Sequence, residues 1–386
     1  MEYGSYCIFS AHYVPHIGGI EKYTDNLARE LAGRGNRTVI VTNALNDDAG
    51  REKISSNLEV FRMPCVPIFS GRLPLPKKNA LFCRLWEELS AIQFDGLLIN
   101  ARFYPHTFLG LNFASKQGLV PIVVEHGSAY LTFGNRMLDP FVAAYEKIVT
   151  HFVKKSGARF YAVSTKGVNW LNNFGIKGRG VLSNSIDASS YRASASSRDY
   201  RDEFNIEPDD LLISYTGRLI PEKGIVQLME VARILKSENA NAVFLLAGDG
   251  PLRERAESMN PGNVVFLGRT SPEDIAALML QSDLLCMLTR SEGFSTSLLE
   301  ASACGTPALI TDVGGVDELI PDSSYGTILP NDSARMAVDE IKRFLVDRAL
   351  LENQGNKVRE RTEKLFSWQK TADDVLAAFR SASVGD

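Results

Sequence analysis

The chain has 386 residues, 45% of them hydrophobic and 23% charged, with a formal net charge of −4 and five cysteines. That is about twice the length of a typical domain with the composition of full globular cores, which excludes disordered, collagen-like and disulfide-stapled classes. No apolar run approaches the ~18 residues of a membrane span. The start of the chain lacks the basic and apolar regions of a secretory signal, and Cys7, Cys65, Cys83, Cys286 and Cys304 form no C-x-x-C or metal-ligand spacing, so a reducing cytoplasm is expected.

Tyr6–Ser10 reads as a buried strand, and Ile20, Tyr23, Leu27 and Leu31 recur behind it at helical spacing. Gly18-Gly19 falls where that strand hands over to the helix. Glycine there permits positive φ and lets an anion approach bare amides at a helix N-terminus, although a tight turn alone would also use it. Further strands are expected at Thr38–Thr42, Leu97–Asn100, Val120–Val124 and Phe160–Val163. Leu211–Thr216, Ala242–Ala247, Val264–Leu267, Leu284–Leu288 and Ala308–Thr311 continue the series, with helical patterns between most of them. Such alternation predicts an α/β protein with parallel sheets covered on both faces. A single sheet of that width would be unusual, and the Ser/Ala-rich stretch 187–197 is the natural seam. The expected division is residues 1–188, residues 189–365, and a terminal segment 366–386.

Charge is divided unevenly. Residues 1–190 hold 21 Lys+Arg against 15 Asp+Glu, a net of +6, and the remainder holds 21 against 31, a net of −10. The positive half gathers Arg72, Lys77, Lys78 and Arg84 near Phe69, Leu73, Leu75, Phe82 and Trp86, and Lys147, Lys154, Lys155 and Arg159 near Phe141, Tyr145 and Phe152. These clusters suit an anionic membrane surface or a phosphate-bearing substrate, or are simply solvated helix faces. Nothing points to a nucleic-acid partner.

Two motifs carry chemistry. After Leu211–Thr216 comes "GRLIPEKG", where Arg218 and Lys223 flank a proline-containing turn before a helix, a disposition suited to a diphosphate. Next is "SEGFSTSLLEASACGTP", with Glu292 in a glycine turn and Glu300 in the helix that follows. Ser297 to Glu300 also fits a capping box, which would make Glu300 structural. The amides of Gly293 to Ser297 would lie at the helix start, and Gly314-Gly315 repeats the pattern after the next strand.

These two motifs, in this order, identify a resemblance to glycosyltransferase family 4, retaining enzymes of the GT-B fold, over nearly the whole chain. The resemblance implies two Rossmann-like doubly wound domains facing a cleft, with a final helix that returns to the first domain. It implies that Gly18 and Gly19 approach the β-phosphate of a nucleoside-diphosphate sugar, and that Arg218 and Lys223 hold the diphosphate. Glu292 would meet sugar hydroxyls, Glu300 the ribose, and Gly293, Phe294 and Ser295 the sugar by their backbone. His126, in "VEHG", falls where the family has a histidine near the donor sugar, and Arg269 falls near the nucleobase. The expected catalytic group is therefore His126, Arg218, Lys223 and Glu292, with a UDP-sugar donor and no cofactor. The sequence contains no Asp-x-Asp motif, so no metal site is expected and the two cations would neutralise the leaving group. The expected acceptor is a saccharide or polyprenyl-diphosphate-linked saccharide of bacterial capsule, O-antigen or exopolysaccharide assembly, used in the cytoplasm or at the inner membrane face. Two rivals are a non-catalytic sugar-nucleotide-binding protein and a dinucleotide oxidoreductase. The second needs G-x-G-x-x-G after the first strand, and "HIGGIEKY" breaks that spacing.

Overall fold

Short strands of buried branched and aromatic residues, separated by amphipathic helices, build one mostly parallel and one all-parallel sheet in the computed structural model. The structure describes residues 3–16, 18–46, 48–69, 71–131 and 137–383. It divides into two compact units, residues 1–184 with 368–386, and residues 185–367.

The first unit runs β1 (Ser5–Ser10), α1 (Gly19–Gly33), β2 (Arg37–Ala44), β3 (Gly50–Lys53), β4 (Leu58–Ile68), β5 (Leu73–Pro76) and α2 (Ala80–Ser90). It continues with β6 (Gly96–Asn100), α3 (Pro105–Gln117), β7 (Ile122–Glu125), α4 (Asp139–Val153), β8 (Arg159–Ala162) and α5 (Thr165–Leu171). The main sheet has the order β3-β4-β2-β1-β6-β7-β8, with β5 paired to β4. β3 and β5 are antiparallel to β4, and the remaining pairs are parallel. Strand order reverses between β1 and β6, so Ser10 and Asn100 end side by side at the carboxyl edge, where α/β folds bind ligands.

The second unit contains α6 (Ala188–Ala193), α7 (Tyr200–Glu203), β9 (Leu211–Thr216), α8 (Ile225–Ser237), β10 (Ala242–Ala247), α9 (Arg253–Ser258) and β11 (Val264–Gly268). After these come α10 (Pro272–Gln281), β12 (Leu284–Met287), α11 (Thr296–Cys304), β13 (Ala308–Thr311), α12 (Val316–Leu319), β14 (Thr327–Leu329), α13 (Ala334–Val346) and α14 (Arg348–Leu365). Its all-parallel order β11-β10-β9-β12-β13-β14 is the doubly wound 3-2-1-4-5-6 pattern, with the switch point between β9 and β12. The inner strands β9, β10, β12 and β13 are buried almost throughout, as parallel strands covered on both faces must be, and the edge strands β11 and β14 only in part.

The last helix, α15 (Trp368–Ser383), belongs to the first unit. Phe379 stacks on Tyr6 at 5.1 Å, Trp368 meets the edge of Tyr23, and Thr371 Oγ1 donates to Ser183 O at 3.0 Å. Val375 and Phe379 are buried beneath it.

Two expectations need correction. Residues 187–197 are not an unstructured linker, because Asp187 accepts from Ser190 N and caps α6. The unit boundary falls at Asn184–Ser185, before that stretch. The basic clusters also differ in character. Phe82 is buried and Trp86 packs against the same core, so the aromatic residues of the first cluster serve the fold. Lys77 and Lys78 follow β5 beside the β4 edge, whereas Lys154 and Lys155 precede β8 at the other edge.

Candidate active site

At the switch point of the second unit, β9 ends in the Gly217–Gly224 turn and β12 leads to Glu292. The two loops are stitched together. Thr289 Oγ1 donates to Glu222 O at 3.1 Å, and Arg290 N donates to the same carbonyl at 2.8 Å. Gly224 is left-handed (φ +68°), and an added Cβ would lie 1.9 Å from Leu288 O, so only glycine permits this approach. The result brings Lys223 Nζ and Glu292 Oε1 into an ion pair, both largely shielded from solvent. Arg218 is exposed and has no carboxylate partner among the described residues. Its carbonyl accepts from Tyr215 Oη at 3.0 Å, which fixes the turn behind it. Arg218 and Lys223 thus occupy one loop at the switch point, with Lys223 pre-paired to an acid.

Glu292 and Gly293 are set by the loop after β13. Gly314 has φ +50°, and a Cβ there would lie 2.5 Å from Gly293 O and 2.7 Å from Glu292 O. The second glycine pair therefore serves as a spacer beneath the Glu292 turn. The capping-box alternative does not hold: the cap of α11 is Ser295, whose Oγ accepts from Leu298 N at 3.2 Å, and Ser297 Oγ instead donates to Thr216 O at 3.1 Å. Helix α11 begins two residues before the capping-box spacing requires, so Glu300 lies in its second turn, partly exposed near Tyr191. Phe294 is buried against Phe366, ring centroids 5.4 Å apart. Arg269 is 90% exposed and only loosely paired to Asp249 at 3.8 Å.

In the first unit the expectation for Gly18 also changes. Its φ is −172°, ordinary extended backbone, so positive φ does not explain it. A Cβ at Gly18 would instead lie 2.3 Å from Glu21 Oε2, while one at Gly19 would meet nothing within 4 Å. Glu21 is buried at the start of α1 and pairs with His16 Nδ1 at 2.7 Å. The α1 N-terminus therefore already carries a carboxylate, and open space lies only at Gly19.

His126 follows β7, and its Nε2 lies 2.8 Å from Asn100 Oδ1. Asn100 Nδ2 donates to Thr24 Oγ1 at 2.8 Å, and Thr24 Oγ1 lies 2.8 Å from the Ile20 carbonyl, which can only accept. That chain fixes the amide orientation, so His126 carries its proton on Nε2 and keeps Nδ1 as an acceptor. Desolvation pushes the His126 pKa down to about 3, and the Tyr23 ring stands edge-on with its centroid 4.9 Å away. The imidazole is neutral at physiological pH.

Beneath it, Glu125 Oε1 accepts from the His126 and Gly127 amides at 3.1 Å each. Its other oxygen pairs with Arg102, which also pairs with Glu146, and Glu146 accepts from Leu131 N. All three charged side chains are buried, and the Arg102 guanidinium lies 4.1 Å from the centre of the Phe174 ring. Ala101, next to Asn100, is left-handed (φ +64°), a costly conformation for alanine at a strand end. Sequence reasoning missed Asn100, Arg102, Glu125 and Glu146. Glu125 was legible in "VEHG"; Asn100 and Arg102 lie at the end of β6 and in the turn after it, and Glu146 on α4, with no local signal. Among the described residues no three His, Cys, Asp or Glu converge as a metal site.

Sequence comparison agrees with this architecture. Residues 17–190 match the model for Glycosyltransferase Family 4, and residues 196–361 match that for Glycosyl transferases group 1. An uncharacterised glycosyltransferase of Methanocaldococcus jannaschii is 26% identical over 96% of this chain and 97% of its own. Among solved structures, sucrose-phosphate synthase from Thermosynechococcus elongatus superposes with TM-score 0.79 at 19% identity, covering 98% of both chains. Anabaena HepE in complex with UDP and glucose superposes with TM-score 0.73 at 17% identity, covering 98% of this chain and all of that one. The two sheets, with loops gathered at their switch points, are those of a GT-B glycosyltransferase. The chain belongs to the family 4 type of that class.

Proposed function

We propose that this glycosyltransferase moves a sugar, with retention of configuration, from a nucleoside-diphosphate sugar to a saccharide or lipid-linked saccharide acceptor. The observation that carries the reading is the pairing of Lys223 with Glu292 in a loop that also holds Arg218, at the switch point of the second unit. A diphosphate arriving there gives Lys223 a stronger anionic partner and releases Glu292 to accept from sugar hydroxyls. Arg218 grips the second phosphate, Glu300 the ribose, and the backbone of Gly293 to Ser295 the sugar. Gly19 offers bare backbone, with Gly18 beside it, to the β-phosphate, and the Arg269 segment borders the nucleobase.

Breaking the glycosidic bond places negative charge on the departing diphosphate. Arg218, Lys223 and the α11 amides stabilise it without a metal, an effect worth several kcal/mol for fixed donors of this kind. Neutral His126 cannot donate from Nδ1, so it positions a sugar hydroxyl by accepting from it. The leaving phosphate takes the acceptor proton as the new bond forms on the same face. A UDP donor is the reading that HepE's bound UDP and glucose support best. The acceptor would come from assembly of bacterial surface polysaccharide, with the enzyme at the inner membrane face.

Thermal-shift screening of nucleotide sugars tests the donor site. One base should stabilise the protein, and Arg218→Ala should remove the shift. No stabilisation by any nucleotide sugar or nucleoside diphosphate would overturn the reading.

A further inference from the structure

We propose that the outer face of α4, with the basic pocket at its C-terminal end, is a docking surface for an anionic phospholipid membrane. The inner face of α4 buries Glu146, Val149, Thr150 and Val153. Its outer face carries Phe141, Ala144, Ile148 and Phe152 at intervals of three and four residues, one continuous stripe. Phe141 is 75% exposed, Ile148 60% and Phe152 58%. From Phe141 to Phe152 the stripe runs about 17 Å, and monomeric soluble proteins rarely leave such a face open.

The charges beside the stripe select its partner. Lys147 and His151 flank it, and Lys155 continues it one turn beyond Phe152. Of the acids on α4, Glu146 is buried against Arg102 and Asp139 lies in the first turn, at the far end. Directly beyond the helix opens a pocket of about 750 Å³ whose lining includes Lys154, Lys155, Arg159, Lys177 and Arg179. Two of these cations are held from behind: Lys154 Nζ donates to Phe174 O at 3.2 Å, and Arg159 donates to Ser381 O at 2.6 Å. A stripe of aromatic and branched side chains beside lysines fits the headgroup and acyl boundary of a bilayer, and the pocket fits a lipid phosphate.

The position is consistent with use by the enzyme. Helix α4 starts after the carboxyl end of β7, the His126 side, and ends at the amino end of β8, the pocket side. A helix lying flat in the interface therefore also brings the His126 edge of the sheet to the membrane. The proposal rests on the lipid-linked acceptor reading and names the surface that carries it.

Sedimentation with vesicles tests it without any sugar chemistry. The full chain should bind phosphatidylcholine vesicles containing phosphatidylglycerol, weakly or not at all bind phosphatidylcholine alone, and release as salt rises. Substituting Lys154, Lys155 and Lys177 by glutamine should cut partitioning about fivefold per lysine, ~100-fold together. Phe141→Ser with Phe152→Ser should also abolish it. Both variants alter exposed side chains, and unchanged thermal melting with unchanged transfer to a soluble acceptor would show that they fold and work. Undiminished vesicle binding in either variant overturns the proposal, as does a dimer that the Phe141 and Phe152 substitutions dissolve. Stabilisation by inorganic phosphate without vesicle binding would make the pocket a free-phosphate site and would equally overturn it. Vesicle binding without sugar transfer would leave this surface standing and remove only the enzymatic reading.

Discussion

Asn100 Oδ1 accepts the Nε2 proton of His126 at 2.8 Å, and Thr24 holds the Asn100 amide in the one orientation that permits it. The acceptor lone pair of His126 is thus decided by a residue on a different strand. Asn100→Asp places a carboxylate on that nitrogen, so the imidazole pKa should rise from about 3 toward the ordinary range. The kcat profile of the variant should then gain an acidic limb that the native enzyme lacks. Asn100→Leu should lower kcat about 10-fold or more with little change in nucleotide affinity. Unchanged pH profiles and rates in both variants would show that Asn100 is only a core polar group.

The Lys223–Glu292 pair makes a second prediction. Arg218→Ala and Lys223→Ala should each reduce turnover at least ~100-fold, because each removes a charge from the leaving group. Glu292→Gln should damage transfer more than affinity for free nucleoside diphosphate. Since Lys223 and Glu292 are in contact, their losses should be strongly non-additive in a double-mutant cycle. Additive losses, or near-normal rates in Arg218→Ala, would refute the clamp.

With Ser295 as the cap, Glu300 has no capping duty to lose. Glu300→Gln should therefore weaken nucleotide binding by roughly 1–3 kcal/mol and leave thermal stability within about 0.5 kcal/mol. Calorimetry of nucleotide binding beside thermal melting separates the two. A destabilised protein with normal nucleotide affinity would make Glu300 structural.

Stability should depend on pH through buried neutral imidazoles. Burial holds His126 near 3 and His106 near 4, and pulls His12 below its ordinary value. As pH falls below about 6.5, the unfolded chain protonates these rings and the folded chain does not. Stability is thus full above that pH and is lost on acidification, at up to ~1.4 kcal/mol per pH unit for each ring. Urea unfolding between about pH 7 and pH 5 should show the slope, and His106→Gln should reduce it. A midpoint constant across that window would contradict the assignment.

What was legible in the sequence follows from how local each feature is. Leu211–Thr216, Ala242–Ala247 and Ala308–Thr311 coincide with β9, β10 and β13, because fully buried strands bounded by loops announce themselves as short apolar runs. β4 was not legible: Pro64 and Pro67 lie inside Leu58–Ile68 and argue against a strand, yet its early residues pair in parallel with β2. β3, β5 and β14 are too short or too polar to show a period. The cations and acids of the two motifs stand close in sequence and could be read there. Asn100 and Arg102 at the end of β6 and Glu146 on α4 support His126 and its loop from stretches distant in sequence, so only the fold assembles them.

The most direct measurement is product analysis of the full chain with its nucleotide sugar and an acceptor, in excess chelator, with and without Arg218→Ala and Lys223→Ala. Mass spectrometry should show the acceptor heavier by one sugar, and NMR should show the donor's anomeric configuration retained. Product should form in chelator and fall at least ~100-fold in either variant. An inverted linkage, a strict requirement for added divalent metal, or full activity in the variants would contradict an account in which Arg218 and Lys223 carry the leaving group.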